Sequence, residues 1–205
     1  MSKVSLIYRN IWMYRMLMNI LYTSGYKKRF AKVIRIIDHH QPLSILELCF
    51  GDVLIAAHCK KNGIQWTGID LNKNFVNHAK RKGFNAKSAD LTNLTALPKA
   101  EICVMVGSFY HFYNNAHNVL SKILEASNKI IISEPVKNLS DQNNLLGRIA
   151  RISANAGKGN EQFRYNEITL QKLLEEESKT LHFSYKVIDF YKKDIIITIK
   201  KNGSN

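Results

Sequence analysis

Cysteine is scarce. Cys49, Cys59 and Cys103 are odd in number, widely spaced and without a C-x-x-C pair, so neither a disulfide framework nor a zinc site is expected. No metal is called for, and a reducing cytoplasm is the natural setting. Long apolar runs are also missing, and none approaches the roughly 18 residues a membrane-spanning helix requires. The most apolar window, Ile11 to Tyr22, is broken by Arg15 and Asn19 and carries no small-residue cleavage site of the secretory kind. Pro/Gly/Ser-rich linkers, internal repeats and low-complexity tracts are absent. Acidic residues are few, sixteen Asp and Glu against thirty Lys and Arg, which leaves a net charge of +14.

What is present describes a globular chain. Hydrophobic residues make up 45% and charged residues 22% of the 205, near ordinary globular averages. At roughly 100–200 residues per domain the length suits one domain with some forty residues beyond it. The positive excess biases the protein toward anionic partners, whether nucleic acid, phospholipid or a phosphorylated small molecule. A well-solvated basic surface accounts for it equally. Residues 1–41 hold eight positive charges and one negative, residues 58–87 seven and one, and no run of five like charges forms a basic tail.

Two helices are predicted before residue 41. The first carries Ile7, Ile11, Tyr14, Met18 and Leu21 at helical spacing and is broken by Thr23-Ser24-Gly25. The second, about Tyr26 to His39, buries Phe30, Val33, Ile34 and Ile37 and exposes Lys27, Lys28, Lys32 and Arg35. From Pro42 onward, short apolar runs at Ser44–Cys49, Gln65–Ile69, Phe84–Ser88, Ile102–Val106 and Lys129–Ser133 alternate with helical stretches such as Asn74–Lys82 and Asn115–Ala126. That alternation means βαβ crossovers and a parallel sheet covered on both faces. Tyr185–Tyr191 and Ile195–Lys200, joined by Lys192-Lys193-Asp194, can only form an antiparallel hairpin. The expected architecture is α/β: a doubly wound, mostly parallel seven-stranded sheet ending in a hairpin. Residues 1–41 form an N-terminal helical cap and residues 42–205 the main domain.

The chemistry gathers at the strand ends. The first strand ends I-L-E-L-C-F-G-D, Ile45 to Asp52, and runs into a helix starting near Val53. A carboxylate at the end of a first strand, then a glycine turn and a helix N-terminus, is where doubly wound sheets bind nucleotides. The second strand ends W-T-G-I-D-L-N with Asp70, 23 residues beyond Glu47, where an acid can take both ribose hydroxyls. Asp90, in S-A-D-L after the third strand, follows 20 residues later.

This arrangement resembles the class I S-adenosylmethionine-dependent methyltransferases over about residues 42–200. The resemblance implies a Rossmann-like fold and S-adenosyl-L-methionine as cofactor. It implies a pocket drawn from Glu47, Cys49, Phe50, Gly51, Asp70, Leu71, Asp90, Leu91, Gly107 and Ser108, with Asp70 on the ribose and Asp90 near the adenine. The chain departs from the family where Cys49 stands for the usual first glycine and Asp52-Val53 for the following small residues. A dinucleotide cofactor fits less well. C-F-G-D-V-L lacks the G-x-G-x-x-G through which a pyrophosphate reaches backbone N–H groups, and Asp52 at the helix start would repel phosphate. S-adenosylmethionine carries no phosphate.

The loop V-G-S-F-Y-H-F-Y, Val106 to Tyr113, follows the fourth strand and in the resembling family lines the methyl-transfer site. Tyr110 and His111 are the candidate catalytic residues, because imidazole titrates near neutral pH and can deprotonate an acceptor. Glu134, after the fifth strand, is a further candidate acid. Structural roles stand beside each: Asp90 as a turn cap, Cys49 as a small residue permitting close approach, His111 as a helix cap. The leading reading is methyl transfer to a small-molecule or lipid-headgroup acceptor, its pocket built by residues 1–41 and 137–165. An RNA-modifying methyltransferase and a non-catalytic binding protein on the same fold stay open as alternatives. The N-terminal helices offer an amphipathic surface: Ile7, Ile11, Trp12, Tyr14, Met18 and Leu21 beside Arg9, Arg15 and Lys27-Lys28-Arg29. Such a surface can cap the sheet or touch an anionic membrane peripherally.

Overall fold

The computed structural model describes residues 11–22, 25–137 and 163–203. Ile7, Arg9, Thr23-Ser24 and most of the 137–165 stretch lie outside the described residues. The apolar runs form five parallel strands, β1 (Ser44–Leu48), β2 (Gln65–Asp70), β3 (Asn85–Ser88), β4 (Ile102–Val106) and β5 (Lys129–Pro135). The hairpin adds β6 (Phe183–Tyr191) and β7 (Asp194–Lys201), with β7 inserted antiparallel between β5 and β6. The seven-stranded order is β3-β2-β1-β4-β5-β7-β6. Strand order therefore reverses between β1 and β4, which opens a crevice at their C-terminal ends.

Alternating side chains build two cores. Leu46, Leu48, Cys103, Met105, Ile130 and Ile132 face α5 (Ala116–Ala126) and α6 (Glu167–Leu181). Ile45, Val104, Ile131 and Ile196 face the other way, toward α2 (Tyr26–His40), α3 (Leu54–Lys61) and α4 (Lys73–Arg81). Burial on both faces is what continuous apolar strands in a parallel sheet demand. The first described helix, α1 (Ile11–Leu21), lies against α2 and α4, its Tyr14 ring 5.0 Å from Phe75.

Three local features differ from the sequence-based expectations. A 3₁₀ segment, Phe109–Asn115, precedes α5, so the helical stretch begins earlier and tighter than the 3.6-residue pattern suggests. Helix α6 was marked by a capping box that apolar periodicity alone passes over: Asn166 Oδ1 accepts from Thr169 N at 2.8 Å, and Thr169 Oγ1 accepts from Asn166 N at 2.9 Å. The hairpin link is two residues, Lys192-Lys193, with Lys192 at a positive φ of 54°, and Asp194 is the first residue of β7.

Asp194 leaves the turn because its carboxylate is buried. It pairs with Arg29 of α2, accepts a hydrogen bond from Tyr22 Oη at 2.8 Å and another from Ser133 Oγ at 3.1 Å. Arg29 is 2% exposed and Asp194 0%, which corrects the expectation that Arg29 joins Lys27 and Lys28 as surface charge. The α1 surface is also corrected. Ile11, Tyr14, Met18 and Leu21 pack against the core, whereas Trp12, Met13, Met16 and Ile20 are exposed. Removing one member of a buried ion pair strands the other charge, so Arg29→Met should cost about 3–5 kcal/mol of stability. Urea unfolding of R29M and D194N checks this; a loss below 1 kcal/mol in both would contradict it.

Candidate cofactor and acceptor site

The β1–α3 loop reverses sharply over the ends of β1 and β2. Cys49 takes a left-handed conformation (φ 53°), as does Gly51 (φ 55°). A non-glycine residue costs roughly 1–2 kcal/mol there, and the turn is secured by Cys49 N donating to Ile69 O at 2.7 Å. Gly51 N donates to Asp70 Oδ2 at 3.0 Å, which ties the loop to the second strand. A side chain at Gly51 would press on the Tyr14 hydroxyl, 3.0 Å from a Cβ at that position. The next residue, Asp52, is buried and held by Arg15 of α1, with Nε donating to Oδ2 at 2.9 Å and a terminal nitrogen to Oδ1 at 2.6 Å. Asp52 therefore carries its own counter-ion. Burial pushes the Cys49 thiol well above its ordinary range, which leaves it a small packing residue rather than a thiolate.

The three predicted acids stand in three different environments. Glu47 is 0% exposed and lies on the α2–α4 side of the sheet. Its Oε2 accepts from Trp66 Nε1 at 2.8 Å, while Oε1 has no hydrogen-bond partner among the described residues. The indole reaches it by crossing Gly68, where any side chain would collide with the ring. Burial raises the Glu47 carboxyl well above the usual range, partly opposed by the Trp66 hydrogen bond. Asp70 is pushed up to about 6 by burial, opposed by the N–H groups of Asn72 and Gly51 and by His111. Asp90 accepts from Thr92 N at 3.1 Å and Thr92 Oγ1 at 2.8 Å, the bonding of a turn cap. Around them Leu71 is exposed, while Phe50 and Leu91 are buried, Phe50 against Trp66 and Leu91 in the α5–α6 core.

At the end of β4, Gly107 takes φ 71° and donates to Ser133 O at 2.6 Å. A Cβ here would collide with the Arg29 guanidinium. Only glycine fits. Ser108 opens the 3₁₀ segment, and Phe109 N and Tyr110 N donate to the two oxygens of Glu134 at 2.9 and 3.3 Å. Burial pushes Glu134 up to about 8, against the pull of those two N–H groups and Arg29. The Tyr110 ring has the His111 ring 4.0 Å away and the Arg164 guanidinium 3.7 Å from its centroid. Phe163 stacks on Tyr113 at 4.1 Å, and Tyr165 on Phe109 at 5.8 Å. The structure thus brings Glu47, Cys49, Gly51, Asp70, Gly107, Ser108, Tyr110 and His111 to the C-terminal ends of β1, β2 and β4, with Asp90 past β3. Tyr14, Arg15, Arg29 and Arg164 join them from elements distant in sequence, a proximity no local spacing announces.

No protein-family model matches the chain, and no curated protein does. Solved structures do match it. The plantazolicin methyltransferase BpumL, in complex with a triazolic desmethylPZN analog and SAH, superposes with a TM-score of 0.68 at 15% identity, covering 92% of this chain and 90% of that one. Magnesium protoporphyrin IX methyltransferase (ChlM) from Synechocystis PCC 6803 with bound SAH gives 0.64 at 15%, covering 89% and 86%. The methyltransferase domain of bacterial CtHen1 gives 0.65 at 14%, covering 84% and 97%. The fold is that of the class I methyltransferases. On this methyltransferase fold the strand order and the terminal hairpin expected from sequence are both present. Among the described residues no group of three or more His, Cys, Asp or Glu could hold a metal ion, and no helix is long and apolar enough to cross a membrane.

The buried acids set a pH dependence. Folded Glu134 keeps its proton up to about 8, while an unfolded glutamate releases it near about 4.3. Between those values the folded chain binds more protons, so stability falls as pH rises. Glu47 acts in the same sense, and Asp70 does so up to about 6. Urea unfolding between about pH 5 and 8 should show that fall, and Glu134→Gln should reduce its slope by up to one proton, about 1.4 kcal/mol per pH unit. An E134Q slope equal to that of the wild type would contradict the assignment.

Proposed function

We propose that this chain is an S-adenosyl-L-methionine-dependent methyltransferase acting on a small-molecule or lipid-headgroup acceptor in the cytoplasm. The observation that carries it is the crevice at the strand-order reversal, bordered by the left-handed turns at Cys49, Gly51 and Gly107 and by Asp70 at the end of β2. Structural neighbours of the same fold were solved with SAH bound. The residues suit such a group. Asp70 closes the second strand, and Glu47 Oε1 is buried with no hydrogen-bond partner among the described residues. When bound, the cofactor supplies a methyl group activated on a sulfonium.

The chain's own residues do the positioning. Asp70, anchored through Gly51 N and Asn72 N, keeps lone pairs for the ribose hydroxyls. Cys49, Phe50, Leu71, Leu91 and Ser108 shape the walls, and Asp90 borders the adenine end. Tyr110 and His111 flank the acceptor side, where His111 takes a proton if the accepting atom carries one. In-line methyl transfer needs alignment more than acid–base machinery, so a sparse inventory suffices. Residues 1–41 act as the cap, consistent with Tyr14 and Arg15 lying on the β1–α3 loop.

Calorimetric titration with SAH tests this reading. The wild type should bind in the micromolar range, and Asp70→Ala should weaken binding by about 1.5–3 kcal/mol. No binding by the wild type would overturn it. Once an acceptor is found, His111→Ala should lower turnover by about 10²–10⁴ with SAH affinity retained, and ordinary turnover would return His111 to a structural role. The exposed Trp12, Met13, Met16 and Ile20 of α1 support peripheral contact with an anionic membrane as a second reading. On it, a Trp12→Ser/Met16→Ser double variant should no longer sediment with anionic vesicles that the wild type follows.

A further inference from the structure

The basic excess is not spread evenly over the fold. Helix α3 ends on Lys60 and Lys61, and helix α4 ends on Lys80 and Arg81 with Lys82 as its C-cap residue. All five side chains are exposed. Both helices run back from the C-terminal ends of their strands, so their last turns stand at the end of the sheet opposite the crevice. The two helix ends adjoin. Lys60 Nζ lies 3.6 Å from a Cβ placed at Gly83, in the turn after α4, and 5.7 Å from the centroid of the Phe84 ring. No stretch of the sequence holds five like charges in a row, yet the fold assembles five here. Among the described residues none of the five forms an ion pair. Between Val53 and Ala89 the one acid is Asp70, buried at the other end of β2. Asp38, near the end of the neighbouring α2, is taken by His58 Nε2 at 2.6 Å.

Helix α6, on the opposite face of the sheet, has the reverse balance, with Glu167, Glu175, Glu176 and Glu177 against Lys172 and Lys179. An evenly solvated basic surface does not produce that asymmetry. A helix dipole favours a cation in the last turn. Five unpaired cations on two adjoining ends also repel one another, and a polyanion would relieve that repulsion. The helix ends expose no large apolar side chain, whereas a bilayer surface takes up apolar groups along with charge. The exposed apolar stripe, Trp12, Met16 and Ile20, is on α1. We propose that the ends of α3 and α4 form a docking surface for nucleic acid, held through its phosphate backbone and not through its bases. The surface does not rest on the methyltransferase reading. Standing at the far end of the sheet from the crevice, it tethers the chain to a strand and presents no base for reaction.

Fluorescence anisotropy of a labelled oligouridylate of about 20 nucleotides, titrated with the full chain from about 50 to 200 mM salt, tests the surface. The wild type should bind with a Kd of about 1–100 μM, and log K should fall linearly with log salt. The double variants Lys60→Gln/Lys61→Gln and Lys80→Gln/Arg81→Gln should each weaken binding at least about tenfold at the lower salt. Each should also flatten the salt slope by about 1.4, two single-strand phosphate contacts at about 0.7 apiece. Lys27→Gln/Lys28→Gln removes the same charge from the exposed face of α2 and should leave affinity within about twofold and the slope unchanged. Absence of binding by the wild type overturns the surface. So does an equal loss in the α2 variant, because net charge alone would then explain the binding. Phosphatidylglycerol vesicles supply the competing partner. Sedimentation lost in the two helix-end variants while oligouridylate binding is unchanged would assign the cations to a bilayer and overturn the proposal.

Discussion

The Arg29–Asp194 pair is the constraint on which the upper end of the molecule depends. It joins the helix before the first strand to the first residue of the strand inserted last into the sheet. Tyr22 and Ser133 complete the hydrogen bonding of the carboxylate, so two buried charges are satisfied rather than stranded. With the guanidinium in that position, only glycine fits at the end of β4. That glycine's φ of 71° in turn directs the chain into the Phe109–Asn115 segment that carries Tyr110 and His111. One ion pair therefore sets the geometry of the loop that carries Tyr110 and His111.

A second tie, Arg15 to Asp52, brings α1 onto the β1–α3 loop. The two ties are charge-neutral, so the net charge of +14 resides on the other side chains. Arg15 and Arg29 link the N-terminal helices to the strand ends, each matched by one aspartate. Burial pushes the carboxyls of the site upward: Glu47 well above the usual range, Glu134 to about 8 and Asp70 to about 6 against its backbone donors, while Asp52 is paired with Arg15. A crevice of that kind tolerates a cationic sulfonium without presenting a stack of uncompensated carboxylates.

Strand existence, parallel order and the terminal hairpin were legible in the sequence because period and length speak directly to them. Ile102–Val106 was placed to the residue, and the other strands shifted by one or two positions at their ends. The acids at the strand ends were legible for the same reason, since 20-odd residues is one βα unit. What could not be read was the state of those acids. Nothing in I-L-E-L says that Trp66 crosses Gly68 to reach Glu47, and nothing in K-K-R says that the third basic residue turns inward. Both depend on which face of an element meets another element. Local spacing carries no such information. Asp194 was misplaced in the turn because its burial is decided by Arg29, 165 positions away.

The central claim is that the loops after β1, β2 and β4 form one cofactor site, and amide hydrogen exchange with and without SAH addresses it most directly. The account predicts slowed exchange in peptides covering Cys49–Asp52, Asp70–Asn72 and Gly107–Tyr110, with little change in α6 or in the β6–β7 strands away from their turn. SAH binding with protection confined to other segments, or no protection anywhere at saturating SAH, would contradict it.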